Sequence, residues 1–167
     1  MTRSSISTHM QSVFWVHLSL FLACCLSCIH LGFYAGLQIN FLYAALYFWT
    51  LLHPDSVKLL GIILLGLLHD SVLDVPLGLS VAEMWLIWGL TLVNRKILLG
   101  RGSLWIWFGF FITFFSVTLL HLGYTLFIVK KSLFLDGRTL NGMITVLLFP
   151  LMVRCLMPLY RRIRNTL

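Results

Sequence analysis

Gly61-Ile62-Ile63-Leu64-Leu65-Gly66-Leu67-Leu68-His69-Asp70-Ser71-Val72-Leu73-Asp74-Val75-Pro76-Leu77-Gly78 is an apolar run that carries two carboxylates before it breaks at a proline. Gly66, Asp70 and Asp74 are four residues apart and share one face of a helix. With a helix start near Val57, Asp70 lies roughly 20 Å along the axis at 1.5 Å per residue. That is the outer half of a hydrocarbon core about 30 Å thick. A carboxylate at such depth needs a partner, water or a proton. It is either a structural group that hydrogen-bonds a neighbouring helix end or the Pro-Leu-Gly turn, or part of a proton or ion relay. The structural reading is preferred, because no intramembrane Lys or second acidic cluster completes a pathway. Pro76 ends the helix, since the residue before a proline avoids the helical region. Gly78 gives the turn its freedom. Ser80-Val81-Ala82-Glu83 then fits a capping box, with Ser80 and Glu83 exchanging hydrogen bonds with each other's backbone N–H.

Outward from this stretch, the rest of the chain has the same character. The 167 residues are 60% hydrophobic and 10% charged, against about 25% charged in a soluble domain. A bilayer is the solvent that suits such a surface. A membrane-spanning helix needs roughly 20 apolar residues, and six segments qualify or nearly so: 13–34, 37–52, 57–74, 80–97, 104–129 and 140–159. The expectation is an all-α integral membrane protein with about six transmembrane helices in a single domain, 1–167. The first segment is read as a retained helix, because no convincing small-residue cleavage site follows it.

The connections are short. Gly32 to Gly36 forms the first, and His53-Pro54-Asp55-Ser56 the second, where Asp55 or Ser56 can cap the third helix. Pro76-Leu77-Gly78 forms the third. Asn94 to Gly102 forms the fourth, and Lys130 to Thr139 the fifth and longest. The net charge of +7 sits between the apolar runs and at the C-terminus, which speaks for orientation in a membrane and against nucleic acid. With the N-terminus inside, Arg3, Lys58, Arg95, Lys96, Arg101, Arg161, Arg162 and Arg164 fall on the inner side. Lys130, Lys131 and Arg138 fall outside. Eight against three predicts that both termini are cytoplasmic. Arg154, inside the sixth helix, can snorkel to the inner headgroups, and Trp105 and Trp107 fall where an inner aromatic belt belongs.

The remaining reactive residues are few. Cys24, Cys25 and Cys28 lie in one apolar run and Cys155 in another, so packing in lipid or core is expected rather than a metal site or a disulfide framework. His17, His30 and His121 sit on three separate runs, with no spacing that makes them converge on a metal. Tyr43 and Tyr47 share a face of the second helix. Asn141-Gly142 opens the sixth helix, Pro150 must kink it or break a hydrogen bond, and Pro158 marks its end. A nucleophile–base pair, a glycine-rich phosphate loop and an acidic metal cluster are all missing from the sequence, so neither an enzyme nor a cofactor is expected.

Gly66-Leu67-Leu68-His69-Asp70 followed by Pro76-Leu77-Gly78 resembles the most recognisable stretch of the rod shape-determining MreD family. Asn141-Gly142, Pro150 and the basic end Arg161-Arg162-x-Arg164 are similar too. The resemblance covers residues 37–167. Where family members often open the second helix with a proline, this chain has Ile39-Asn40.

The resemblance implies a non-catalytic scaffold of bacterial cell elongation in the cytoplasmic membrane. Its partners would be a periplasmic MreC-type protein, the actin-like MreB, and RodA with its transpeptidase. It also implies a fold similar to the substrate-binding subunits of energy-coupling-factor transporters. The alternative is therefore a small-molecule-binding subunit of a vitamin-type transporter, using His30, Asn40, Tyr43, Asp70, Asp74, Glu83, Tyr124 and Asn141 in the outward half. A membrane enzyme acting on lipid or peptide bonds is the third possibility. In the outer loop, Leu133, Phe134 and Leu135 stand between charges and are expected either to meet a periplasmic partner or to lie on the headgroups.

Overall fold

The computed structural model describes residues 3–28, 39–73, 75–126 and 137–166. Among them are six α-helices and no strand. They are α1 (Arg3–Cys28), α2 (Phe41–Leu52), α3 (Leu59–Val72), α4 (Leu79–Gly100), α5 (Ser103–Tyr124) and α6 (Gly137–Thr166). Three segments are long and apolar enough to cross a membrane: Met10–Ser27 in α1, Ser103–Tyr124 in α5 and Gly142–Arg162 in α6. Helices α2 and α3 are apolar but shorter, at 12 and 14 residues. Helix α4 is long enough, but Glu83, Arg95 and Lys96 interrupt its apolar character.

The core is built around α2. Every residue from Leu42 to Leu51 is buried. A helix that is apolar on all sides is stable when it is surrounded, and α2 packs against α1, α4 and α6. Helices α3 and α5 flank α4 on the outside of this arrangement. Aromatic rings fill the α2–α5–α6 contact. Phe110 stacks on Phe149 with centroids 4.2 Å apart, and Tyr47 meets both rings edge-on.

A buried helix of about 18 Å has backbone groups at both ends that lipid cannot satisfy. Neighbouring helices supply the partners. Ser27 Oγ of α1 accepts the Leu42 N–H at 2.9 Å, and Thr145 Oγ1 of α6 accepts the Asn40 N–H at 3.1 Å. At the other end Arg95 Nε of α4 donates to the Leu51 carbonyl at 2.7 Å. A cation at a helix C-terminus also faces the negative end of the helix dipole.

Several boundaries differ from those expected. Helix α1 starts ten residues earlier, at Arg3 rather than residue 13. Residues Pro54–Ser56 form a short 3-10 turn, and α3 begins after Lys58, so neither Asp55 nor Ser56 caps it. The basic stretch from Asn94 is not a turn. Helix α4 runs on to Gly100, carried by the Arg95–Leu51 bond and by Asn94 Nδ2 donating to the Leu90 carbonyl at 2.9 Å, and the turn shrinks to Arg101-Gly102. Pro158 does not end α6. Both Pro150 and Pro158 lie inside it, because Met152, Val153, Leu156, Leu159 and Tyr160 continue one packed face along the core. The first turn at Gly32–Gly36, the residue His30, and positions 127–136 of the outer loop, including Leu133, Phe134 and Leu135, lie outside the described residues.

Candidate functional site

The junction of α3 and α4 holds most of the residues singled out in the sequence. Two glycines shape it. At Gly66 the α4 backbone comes so close that an added Cβ would stand 2.9 Å from Val81 Cα. Gly78 has φ +100°, in the left-handed region open to glycine, and is the N-cap residue of α4. Having no side chain, it cannot cap the helix itself.

Asp70 does so from the last turn of α3. It is fully buried, with Oδ2 accepting the Gly78 N–H at 2.7 Å and Oδ1 accepting the Ser80 N–H at 2.9 Å. Both oxygens meet open N–H groups at the positive end of the α4 dipole. Hydrogen bonds to a charged group each contribute about 1.5–3 kcal/mol, so this carboxylate is a strong tie between two helices. It also overturns the expected capping box. The Ser80 N–H is taken by Asp70, Ser80 lies inside the first turn, and the Glu83 side chain turns away from it.

Glu83 instead reaches two other helices. The Tyr43 hydroxyl of α2 donates to its Oε2 at 2.5 Å, and His121 Nδ1 of α5 lies 2.9 Å from its Oε1. Glu83 and Tyr43 are buried, while His121 is partly exposed. On the α3 side, His69 Nδ1 lies 3.0 Å from Ser80 Oγ, and the Tyr43 ring sits 5.7 Å from the His69 ring. The Asp70 and Glu83 groups are thus neighbours in one buried polar layer drawn from α2, α3, α4 and α5. Ser27 and Thr145 at the start of α2 extend the same end of the bundle to α1 and α6.

Ser80 and His69 have the spacing of a nucleophile and a base. Ser80 is 3% exposed, and both Asp70 oxygens accept backbone N–H groups. Each carboxylate joins elements that are separate in the chain. Among the described residues no group of three His, Cys, Asp or Glu gathers as metal ligands.

Other ties lie away from this layer. Tyr47 Oη donates to the Ile106 carbonyl at 2.9 Å, and Trp107 Nε1 to the Val146 carbonyl at 3.1 Å. The His53 ring lies 5.5 Å from the Tyr160 ring. Burial pushes the His53 imidazole below its ordinary value; Asp55 opposes that shift and Arg95 adds to it.

Gly66, Asp70, Pro76, Gly78, Ser80 and Glu83 therefore come together at one junction. Pro150 does not join them; it is exposed on α6. Asp74 and the Asn141 side chain lie outside the described residues. His17 bonds the Val13 carbonyl within α1 and packs at Gly61, far in sequence from His121. Cys24 is buried, and Cys25 and Cys155 are exposed and free. The sequence reading left out His69 and Arg95 as structural ties. The signal for His69 was its place beside Asp70 in the same apolar run. No protein-family model matches the chain, and no curated protein and no solved structure matches it either. Fold and site together define a helical protein with three segments fit to span a bilayer and one end laced by buried acids.

Proposed function

We propose that this chain is a non-catalytic membrane scaffold of bacterial cell elongation, of the MreD kind. It lies in the cytoplasmic membrane as a multi-pass protein with both termini cytoplasmic. The observation that carries the reading is the use of Asp70: both of its oxygens hold the Gly78 and Ser80 N–H groups at the turn whose sequence resembles that family. A carboxylate committed in this way ties the end of α3 to the start of α4. Glu83 supports the same reading, since Tyr43 and His121 take one oxygen each. The partners are an MreC-type periplasmic protein, MreB, and RodA with its transpeptidase.

The test is affinity capture of the tagged full chain from native membranes of a rod-shaped bacterium. The scaffold reading expects the MreC-type protein and RodA to be captured. Capture of the ATP-hydrolysing and coupling subunits of a transporter in their place would overturn it in favour of the vitamin-binding alternative.

A further inference from the structure

The hairpin of α4 and α5 carries features that the scaffold reading does not use. Trp105, Phe108, Ile112, Phe115 and Leu119 follow one another at spacings of three and four on α5, and all are exposed. They form a single stripe along the helix, with Phe111 beside it. The rings are already ordered. Trp105 meets Phe108 edge-on at 6.2 Å, Phe108 stacks with Phe111 at 6.3 Å, and Phe111 with Phe115 at 6.5 Å. From Trp105 to Phe115 the stripe is about 15 Å long at 1.5 Å per residue. That is half of a hydrocarbon core of about 30 Å, the depth of one leaflet.

A cation stands at the head of this stripe. Arg101 Cζ lies 4.7 Å from the centre of the Trp105 ring. This contact fixes the guanidinium while leaving its N–H fork at the rim for other acceptors. Arg101 is exposed, as is Lys96 in the last turns of α4. Arg95, the residue before Lys96, is already spent on the Leu51 carbonyl. Between Glu83 and Asp136 the sequence has no acidic residue, and among the described residues neither Lys96 nor Arg101 forms an ion pair. An apolar track one leaflet deep, headed by the Arg101 cation, matches a molecule with an anionic head and a hydrocarbon tail. A free phosphate would use the cation and gain nothing from the rings.

We propose that the α4–α5 hairpin is a binding site for an anionic phospholipid. The phosphate lies at Arg101, and an acyl chain runs along Trp105, Phe108, Ile112 and Phe115. The site requires only that α5 span a bilayer, so it stands apart from the scaffold reading and from any partner protein.

The experiment is native mass spectrometry of the purified full chain with phosphatidylglycerol or phosphatidylcholine of identical acyl chains. The wild type is expected to retain phosphatidylglycerol over phosphatidylcholine. Arg101→Gln should lower that preference about fivefold, the share of one basic residue near an anionic headgroup. Arg162→Gln, which removes an exposed cation of α6, should leave it unchanged. Equal retention of the two lipids by the wild type would overturn the site. So would an Arg162→Gln loss as large as that of Arg101→Gln, since diffuse attraction would then explain the preference. If Arg101→Gln does not fold, Trp105→Leu, which removes the ring beneath the guanidinium, makes the same comparison, and an unchanged preference there counts against the site.

Discussion

Val81 Cα stands 2.9 Å from the position that a Cβ at Gly66 would occupy, and Val81 Cγ2 stands 2.6 Å from it. Helices α3 and α4 therefore meet backbone to backbone at this point, which sets how the Asp70 carboxylate reaches across to α4. Gly66→Ala should push the helices apart and cost about 1–3 kcal/mol, the range for overpacking. Thermal unfolding in detergent checks this. Val81→Ala removes Cγ2 but not Cα, so the double variant should recover only part of the loss. Full recovery would mean that the two backbones are not in contact.

The Tyr43–Glu83–His121 cluster makes a second prediction. Tyr43→Phe leaves Glu83 Oε2 buried without its donor, at a cost of about 1–3 kcal/mol. Glu83→Gln should be costly as well, and the double variant should cost less than the sum. A double-mutant cycle on thermal stability should give a coupling of about 1 kcal/mol or more. Additive losses would show that the phenol and the carboxylate do not act as a pair.

Much of this site could be read from the sequence, and the reasons it could not all be read are physical. Helical spacing put Gly66 and Asp70 on one face, and the proline rule placed the turn at Pro76–Gly78, because both are local properties of the chain. The role of Glu83 was misread, because a Ser-x-x-Glu spacing describes a capping box only when the serine is the N-cap. Here the left-handed Gly78 takes that place and Asp70 takes the N–H groups. Tyr43 lies 40 residues from Glu83, and His121 lies 38 residues beyond it. No local pattern joins them; only the packing of α2 and α5 against α4 does. The ends of α4 and α6 were also misplaced. Asn94, Arg95 and Pro158 look like breakers, but the Arg95–Leu51 bond and the packed face of α6 carry the helices past them.

The orientation predicted by the basic residues has its own test. Reporter fusions at Arg3 and Leu167 should both report the cytoplasm. Periplasmic activity at either end would contradict the six-span arrangement proposed for this chain.

If the outer loop meets a periplasmic partner, Phe134→Asp should weaken co-purification of the MreC-type protein while the chain still inserts at normal levels. Unchanged co-purification would assign Leu133, Phe134 and Leu135 to the lipid surface instead.

The central claim is that Asp70 is a structural tie, and it is tested by comparing Asp70→Asn with Asp70→Leu. Asn keeps one acceptor oxygen but turns an NH2 group toward the second N–H, so it should lose one of the two bonds to Gly78 and Ser80. That loss should be about 2 kcal/mol, the scale of one charge-assisted hydrogen bond. Leu loses both bonds and leaves two buried N–H groups unpaired. The measurement is melting temperature and membrane level of the two variants, beside their rescue of rod shape in a deletion strain. The account predicts a graded series in which Asn is less stable than wild type but partly active, while Leu fails in both folding and rescue. An Asn variant that melts like the wild type yet rescues nothing would contradict it, and would make the Asp70 charge the functional element.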